Sequence, residues 1–504
     1  MKKILGACIG DCVHIAGIHR FLQLAEKQNY ETIFLGPAVK IEKIIDAIRE
    51  HDPDIVGLSY RLTPDAGTEI LQLLKRRILE EGLGEREFIL GGLPELIQNE
   101  RQNEFFNAYF QGDDSEKAIA YLRGIIIEDR HLIPPQQIIE RIDSKSPFPV
   151  LRHHFGLPSL EETVKGSKKI AESGCLDIIS LGTDQNAQAN FFHPERMSTS
   201  KGAGGVPVRT KKDFERLYQA TRTGNHPLMR TYAGTDDLIE LAQLYIDTIN
   251  NAWTAIPIFW FNKMDGRGPM DLESSIRVHL DAIKWHAKKD IPVEILESHH
   301  WSLRDAVDEV AIAAGYLGAY ICKELGVKTF ISQYMFNTPP QINQRDDLAK
   351  MLAQKEMIES LQDDNFQVYT QTRTGLFSYP IDLDMAKGQL AQSIMLQMQL
   401  NPHIVHVVSY SEANHAATPD NIIESCKIAK QVITKCLEGQ PRMIWDPYVI
   451  ERKQELIEKT TVIINSIKSI GSILDPNVLY ESVNRGLLHA PQLDSYKSKE
   501  IIVG

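Results

Sequence analysis

The stretch Lys2-Lys-Ile-Leu-Gly-Ala-Cys-Ile-Gly-Asp-Cys-Val-His-Ile-Ala-Gly17 decides how the first part of this chain is read. Its apolar run predicts a strand over Lys3–Ile9, which ends in a polar turn at Gly10 and Asp11. Past the turn, Ile18, Phe21, Leu22 and Ala25 recur at intervals of three and four, so a helix is expected over Ile15–Gln28. A strand that enters a helix through a short loop carrying Asp11, His14 and Gly17 places those three residues together at a strand's carboxyl end.

The alternation continues outward from there. Strands are expected at Glu31–Leu35, Ile55–Ser59 and Glu87–Leu90, and helices at Val39–His51 and Ala66–Glu81. Strand and helix in strict alternation imply an α/β, flavodoxin-like doubly wound domain over residues 1–130, with ligands at the carboxyl ends of its strands. Residues 131–147, charged and bearing Pro134, Pro135 and Pro147, read as a linker. Residues 148–440 then hold eight strand-like runs, each followed by a helix-sized segment: Pro149–His154, Asp177–Thr183, Leu228–Ala233, Ala255–Phe261, Pro292–Ser298, Thr329–Met335, Gln367–Arg373 and Ile404–Tyr410. That repetition implies a TIM (β/α)8 barrel. Residues 441–504 form a small C-terminal extension, helical and then irregular.

The barrel's strand ends are polar throughout. They carry Arg152-His-His, Gly182-Thr-Asp-Gln-Asn, Arg230-Thr-Tyr, Asn262-Lys-Met-Asp-Gly-Arg, Glu297-Ser-His-His-Trp, Gln333-Tyr-Met, Gln371-Thr-Arg and Ser409-Tyr-Ser-Glu. Any one of these residues is as readily a loop polar group or a cap. Polar tips on every strand of one barrel face point to a site for a small polar ligand.

Asp11-x-His14-x-x-Gly17 resembles the corrinoid-binding signature of B12-dependent mutases and methyltransferases. Ser59, and the pair Gly91 and Gly92, stand where those families place a serine and two glycines. The resemblance implies that His14 is the metal ligand, the lower axial ligand of cobalt, and that Asp11 bonds the far ring nitrogen. It also implies that Gly17, Ser59, Gly91 and Gly92 let the cofactor's nucleotide tail approach the backbone. Arg61 departs from the pattern, which has leucine there.

The barrel and C-terminal segment resemble the catalytic subunit of glutamate mutase. The likeness runs through Arg230-x-x-x-Gly-Thr-Asp-Asp, Glu324-Leu-Gly-Val-Lys-Thr, Glu412-Ala-Asn-His-Ala-Ala and Cys436-Leu-Glu-Gly-Gln-Pro-Arg-Met. It implies an adenosylcobalamin-dependent isomerase in which a radical 1,2-rearrangement takes place and arginines clamp substrate carboxylates. Arg152 and Arg230 match two of those arginines. The third falls in Asp184-Gln-Asn-Ala-Gln, which has none, and Asp265, Gly266 and Arg267 stand where the family has a glutamate and tyrosines. The expected substrate is therefore a small polar carboxylate other than glutamate, with one carboxylate fewer or a more neutral character. The candidate catalytic residues are Arg152, Arg230, Asp265, Arg267, Glu297 and Gln333.

Two other classes stay open. Leu58-Ser-Tyr-Arg-Leu-Thr-Pro resembles the methyltransferase form of the serine motif, although a first strand beginning at residue 3 leaves no room for the upstream helical cap of such enzymes. A non-catalytic B12 carrier or sensor has no need of a polar-tipped barrel. Lys40 and Lys75 carry no mark of a pyridoxal-phosphate site.

With 504 residues, 43% of them hydrophobic, the chain can bury two or three cores. Its net charge of −12 argues against nucleic acid or an anionic membrane as partner. Cys8, Cys12, Cys175, Cys322, Cys426 and Cys436 show neither metal spacing nor disulfide density. A cytoplasmic enzyme is expected, partnered by a small-molecule substrate and by a second copy of itself in a homodimer.

Overall fold

The structure is a computed structural model that describes residues 2–101, 105–111, 115–124, 133–199 and 204–493. The chain divides into two units, Met1–Leu132 and Ile133–Gly504.

The first unit has the elements β1 (Lys3–Cys8), α1 (Ala16–Lys27), β2 (Glu31–Phe34), α2 (Ile41–His51), β3 (Ile55–Tyr60), α3 (Pro64–Glu80), β4 (Glu87–Gly92), α4 (Pro94–Arg101), β5 (Ala108–Gln111) and α5 (Ser115–Leu122). Its parallel sheet runs β2-β1-β3-β4-β5. Every residue of β3 is buried, as expected of a central strand covered on both faces. α1 lays Ile18, Phe21, Leu22 and Ala25 on the sheet. Gly6 makes that approach possible, because a Cβ there would lie 2.7 Å from Leu22 Cδ1. The strand order reverses between β1 and β3, so their carboxyl ends splay apart and leave a crevice. The loop with Asp11 and His14 leaves β1 at that point.

The second unit opens with α6 (Ile138–Lys145). That segment was read as linker, but Ile138 and Ile142 are buried against Val150, Ile178, Leu228 and Ile404 at the starts of barrel strands. The helix closes the amino end of the barrel, and its two isoleucines at i and i+4 are the face that does so.

The barrel strands are β6 (Val150–Phe155), β7 (Ile178–Leu181), β8 (Leu228–Arg230), β9 (Thr254–Ile256), β10 (Val293–Ile295), β11 (Thr329–Phe336), β12 (Gln367–Thr374) and β13 (Ile404–His406). The helices are α7 (Leu160–Glu172), α8 (Gln185–Ala189), α9 (Lys211–Ala220), α10 (Leu238–Ile249), α11 (Leu272–Lys288), α12 (Glu297–Ser302), α13 (Asp308–Glu324), α14 (Gln344–Glu359), α15 (Leu383–Gln397) and α16 (Pro419–Glu438). The eight strands pair in parallel in the order β8-β7-β6-β13-β12-β11-β10-β9. Single bonds span the remaining seam from β8 to β9, with Ala252 N–H donating to Met229 at 2.9 Å and Ala233 N–H to Ala255 at 3.4 Å. All eight expected strands are present, but β7, β8, β9, β10 and β13 are shorter than expected. β9 stops before Pro257, which has no N–H to give the ladder, and Glu297 and Ser298, expected to finish β10, open helix α12 instead.

The C-terminal segment forms α17 (Pro447–Ile470) and α18 (Pro476–Asn484). Leu456, Ile464, Ile467 and Leu479 share one core with Ile312, Leu317 and Ile321 of α13. These helices are thus a further layer of the barrel's wall. The irregular end expected after them lies at 494–504, outside the described residues.

Candidate functional site

In the first unit, Gly10 turns the chain out of β1 with φ +69°, a conformation that L side chains rarely adopt. His14 follows, exposed. Its Nδ1 lies 3.9 Å from Cys12 Sγ, and Cys8 Sγ donates to its carbonyl oxygen at 3.5 Å. Arg61 N–H donates to Cys12 Sγ at 3.3 Å, which ties this loop to the end of β3. The Asp11–His14 hydrogen bond expected from the motif does not form. Asp11 is in the turn itself and is exposed, so buried Cys12 takes the inner side of the ring.

Gly17, Ser59, Gly91 and Gly92 come together around a small apolar cleft of about 60 Å³, walled by Phe21, Ile89 and Phe110. A Cβ on Gly17 would meet no atom within 4 Å, and one on Gly91 would meet only the Leu58 oxygen at 3.8 Å. Both glycines therefore open onto free space. Gly92 is different, because its Cβ would press the Tyr60 oxygen at 3.1 Å, so its role is packing. Ser59 is buried, in register with Cys8 on the neighbouring strand.

In the second unit the barrel interior is layered. Above the apolar base lies a polar layer centred on Glu294 of β10. Arg230 Nη2 donates to Glu294 Oε2 at 3.0 Å, Trp253 Nε1 to the same oxygen at 2.7 Å, and Gln371 Nε2 to Oε1 at 2.8 Å. Arg152 Nη1 reaches both Glu294 oxygens at 3.4 Å and Gln371 Oε1 at 2.7 Å, while its Nε donates to Ser180 at 2.6 Å. Burial alone would raise the Glu294 carboxyl, but Arg152 and Arg230 outweigh it and hold it below the ordinary range. Arg152, buried and beside Arg230, is pulled down to about 9 and stays charged at neutral pH.

The two arginines expected to clamp a substrate are thus side by side, but the carboxylate they hold is the protein's own. Both are closed to solvent. Gln333 joins the layer by donating to His299 Nδ1 at 2.9 Å and accepting from Gln371 at 3.2 Å.

The next level is the mouth. His154 Nε2 accepts from Arg152 at 3.3 Å and Tyr232 at 3.2 Å, and its ring lies 4.7 Å from that of His406. The rings of His299 and His300 lie 4.3 Å apart, tilted by 36°. Burial first, and then the surrounding arginines, push His154, His299, His300 and His406 well below the ordinary histidine value, so all four are neutral. Arg373 of β12 lies among them, in register with His406, half-buried and with no hydrogen-bond or ion-pair partner among the described residues. Glu412 is 3.4 Å from His153 Nε2, and burial pushes it up to about 7.

The other sequence candidates build the loop after β9. Asp265 accepts from Arg267 Nε at 2.7 Å, from the backbone of Phe261 and Asn262 at 3.2 and 3.1 Å, and from Arg304 at 3.5 Å. The guanidiniums of Arg267 and Arg304 lie over Phe261 and Trp260, each 3.9 Å from the ring centre. Glu297, fully buried, accepts from Ile258 and Phe259 N–H, and burial raises it to about 8. Asp265 and Glu297 are therefore loop-holding groups. Sequence reasoning missed Glu294, His406 and Arg373 as site residues. The available signal was inward register: Arg373 lies two residues past Gln371 on one strand face, and Glu294 stands between two buried apolar residues in a short strand.

No helix among the described residues is long and apolar enough to cross a membrane, and no group of three or more His, Cys, Asp or Glu among them is arranged to hold a metal ion.

Residues 2–120 match the family described as B12 binding domain. Among solved structures, the chain is similar to a novel cobalamin-binding protein from Desulfitobacterium hafniense DCB-2, with 26% identity, 24% of this chain and 56% of that one covered, and a TM-score of 0.21. It is also similar to the cobalamin-dependent S-adenosylmethionine radical enzyme OxsB. The apo, SeMet-labelled form is 13% identical, with 86% of this chain and 56% of that one covered and a TM-score of 0.19. The form with aqua-cobalamin and S-adenosylmethionine bound is 12% identical, with the same coverage and TM-score. The chain therefore spans just over half the length of these proteins. No curated protein matches it. The first unit is a B12-binding domain, and the second is a nearly closed parallel barrel with C-terminal helices.

Proposed function

We propose that the chain is an adenosylcobalamin-dependent isomerase that carries out a radical 1,2-rearrangement on a small polar carboxylate held in the barrel. The observation that supports this most directly is a barrel lumen lined by charged and hydrogen-bonding groups, in a chain that also carries a B12-binding domain. A domain that only carried or sensed the cofactor would have no use for such a lumen.

The residues of the first unit fit a corrinoid. The cleft beside Gly17 and Gly91 is apolar and open where an added Cβ would intrude, which suits a nucleotide tail passing along the backbone. With Nδ1 of His14 turned toward Cys12, Nε2 is left on the exposed side, as a ligand to cobalt requires. Adenosylcobalamin, when bound, supplies the carbon radical that removes a substrate hydrogen and lets a neighbouring group migrate. The barrel's task is to hold the substrate and keep water away. Glu294 fixes Arg152 and Arg230 in place, so the lumen is preorganised before substrate arrives. The neutral histidines add hydrogen-bonding groups without adding charge.

The test is anaerobic electron paramagnetic resonance of the chain loaded with adenosylcobalamin and offered a panel of four- to six-carbon carboxylates. An organic radical coupled to paramagnetic cobalt, with isomerised product, is expected from at least one of them, and methylcobalamin should support none. Methyl transfer from methylcobalamin to a thiol or folate, without a radical signal, would make the chain a methyltransferase instead.

A further inference from the structure

We propose that Arg373 is the residue that anchors the substrate's carboxylate, and that the barrel selects a carboxylate bearing no ammonium group. The assignment rests on the isomerase reading for the word substrate, but the binding it describes does not depend on cobalamin.

The charges of the lumen lead to this. Arg152 and Arg230 share one strongly bound carboxylate, Glu294, while the charge of Arg373 draws down the Glu412 carboxyl against its burial. Glu294 already accepts from Arg230, Trp253, Gln371 and Arg152, so it has no lone pair to spare for an incoming cation. Positive charge is left in excess, in a chain whose net charge is −12. Low dielectric strengthens the pull of that excess on an anion.

Arg373 is where an anion can be met. Arg152 and Arg230 are closed to solvent, whereas Arg373 is part-exposed. Its Nε is buried without a hydrogen-bond partner. A planar guanidinium with free N–H groups is matched by the two oxygens of a carboxylate. Beside it, His406 Nδ1 and His300 Nε2 are also buried and unpartnered, so neutral hydrogen bonds remain for the rest of the ligand.

An ammonium group has no comparable place. Asp265 is held by Arg267 and Arg304, and Glu297 by two backbone N–H groups. Glu412 is drawn on by the charge of Arg373. An amino acid in this lumen would set its ammonium among three arginines, with Glu294 already taken by two of them and Glu412 drawn on by the third, which disfavours it against the same molecule without nitrogen.

The experiment is saturation-transfer NMR on the cobalamin-free chain with two matched pairs, butyrate against 2-aminobutyrate and glutarate against glutamate. The acids are expected to bind at least tenfold more tightly than their amino partners. Arg373→Gln should weaken the acids at least tenfold, and Arg373→Lys, which keeps the charge without the fork, should lose less. Circular dichroism establishes that each variant is folded. If Arg373→Gln binds the acids as wild type does, or the amino acids bind as well as the acids, or neither pair binds, the assignment is overturned. None of these results bears on whether the loaded enzyme generates a radical, so the isomerase reading stands or falls separately.

Discussion

Arg230 Nη2 donates to Glu294 Oε2 at 3.0 Å, and neither side chain is exposed to solvent. This pair changes what the barrel's arginines are for. A guanidinium that meets a buried protein carboxylate is a fixed part of the wall, and Arg152 is bound to the same carboxylate from the other side. The lumen is thereby locked from three strands, β6, β8 and β10, at one level.

Glu294→Gln should cost about 3–5 kcal/mol, because it leaves two buried arginines without their counter-charge. Urea denaturation at neutral pH would measure it, and a loss below about 1 kcal/mol would contradict the locking role. The pH dependence has a definite sign. The folded Glu294 sits below its ordinary value of 4.5, so its ionised form favours folding. That contribution is present above the ordinary carboxyl range and is lost as pH falls through the folded value. The variant should lack this acid-side loss.

Glu297 gives the opposite slope. Burial raises it from 4.5 to about 8, so the folded state holds a proton that the unfolded chain has released. Its contribution to stability therefore falls between pH 4.5 and about 8, by about 1.4 kcal/mol per pH unit at most. Glu297→Gln keeps an oxygen for the Ile258 and Phe259 N–H groups and removes the titration. Relative to wild type, the variant should become steadily more stable across that range and hold a constant advantage above it. Parallel stability curves for the two proteins would show that Glu297 is ionised in the fold.

The elements of both units were legible in the sequence because their signals are local. β1 is an unbroken apolar run, α1 has apolar residues at three- and four-residue spacing, and each barrel strand is bounded by polar tips. The gathering of Gly17, Ser59 and Gly91 at one cleft was legible too, since successive strands of a doubly wound sheet bring their carboxyl ends together. The partners of the arginines were not. Which carboxylate meets Arg230 depends on the stagger of strands separated by many residues, and Glu294 looked like one polar position among many. α6 was hidden by the prolines that flank it and by its charges, while two isoleucines and the buried Arg141 carry its inner side. Asp11 misled for a different reason, because a motif specifies residue types and the turn geometry decides which one touches His14.

Filling the first unit's cleft should separate binding from stability. Gly91→Leu places its side chain in free space, so the fold should keep its stability while cobalamin affinity drops at least tenfold. Gly6→Leu is the control, since even its Cβ would lie 2.7 Å from Leu22 Cδ1, and overpacking of this kind costs about 1–3 kcal/mol. Thermal unfolding of the free chain and optical titration with cobalamin would report the two effects. Unchanged affinity in Gly91→Leu would mean that the cleft holds no part of the cofactor.

His14 is exposed, with Cys12 Sγ at 3.9 Å from Nδ1 and no contact from Asp11. If Nε2 ligates cobalt, the chain loaded with cob(II)alamin should show nitrogen superhyperfine splitting that disappears in His14→Ala. Labelling the histidines with 15N should change the multiplicity of that splitting in the wild type, which identifies a protein nitrogen as the ligand in place of the cofactor's own base. Asp11→Asn and Cys12→Ala then report on the ring's other nitrogen. The geometry of the free chain predicts the larger change in Cys12→Ala, because a neighbour on Nδ1 alters the electron density that Nε2 offers the metal. A larger effect from Asp11→Asn would mean that the loop rearranges when cobalamin binds and brings the carboxylate onto the ring. A His14→Ala spectrum identical to wild type, at undiminished affinity, would remove His14 as the ligand and leave the cleft as the whole of the binding site.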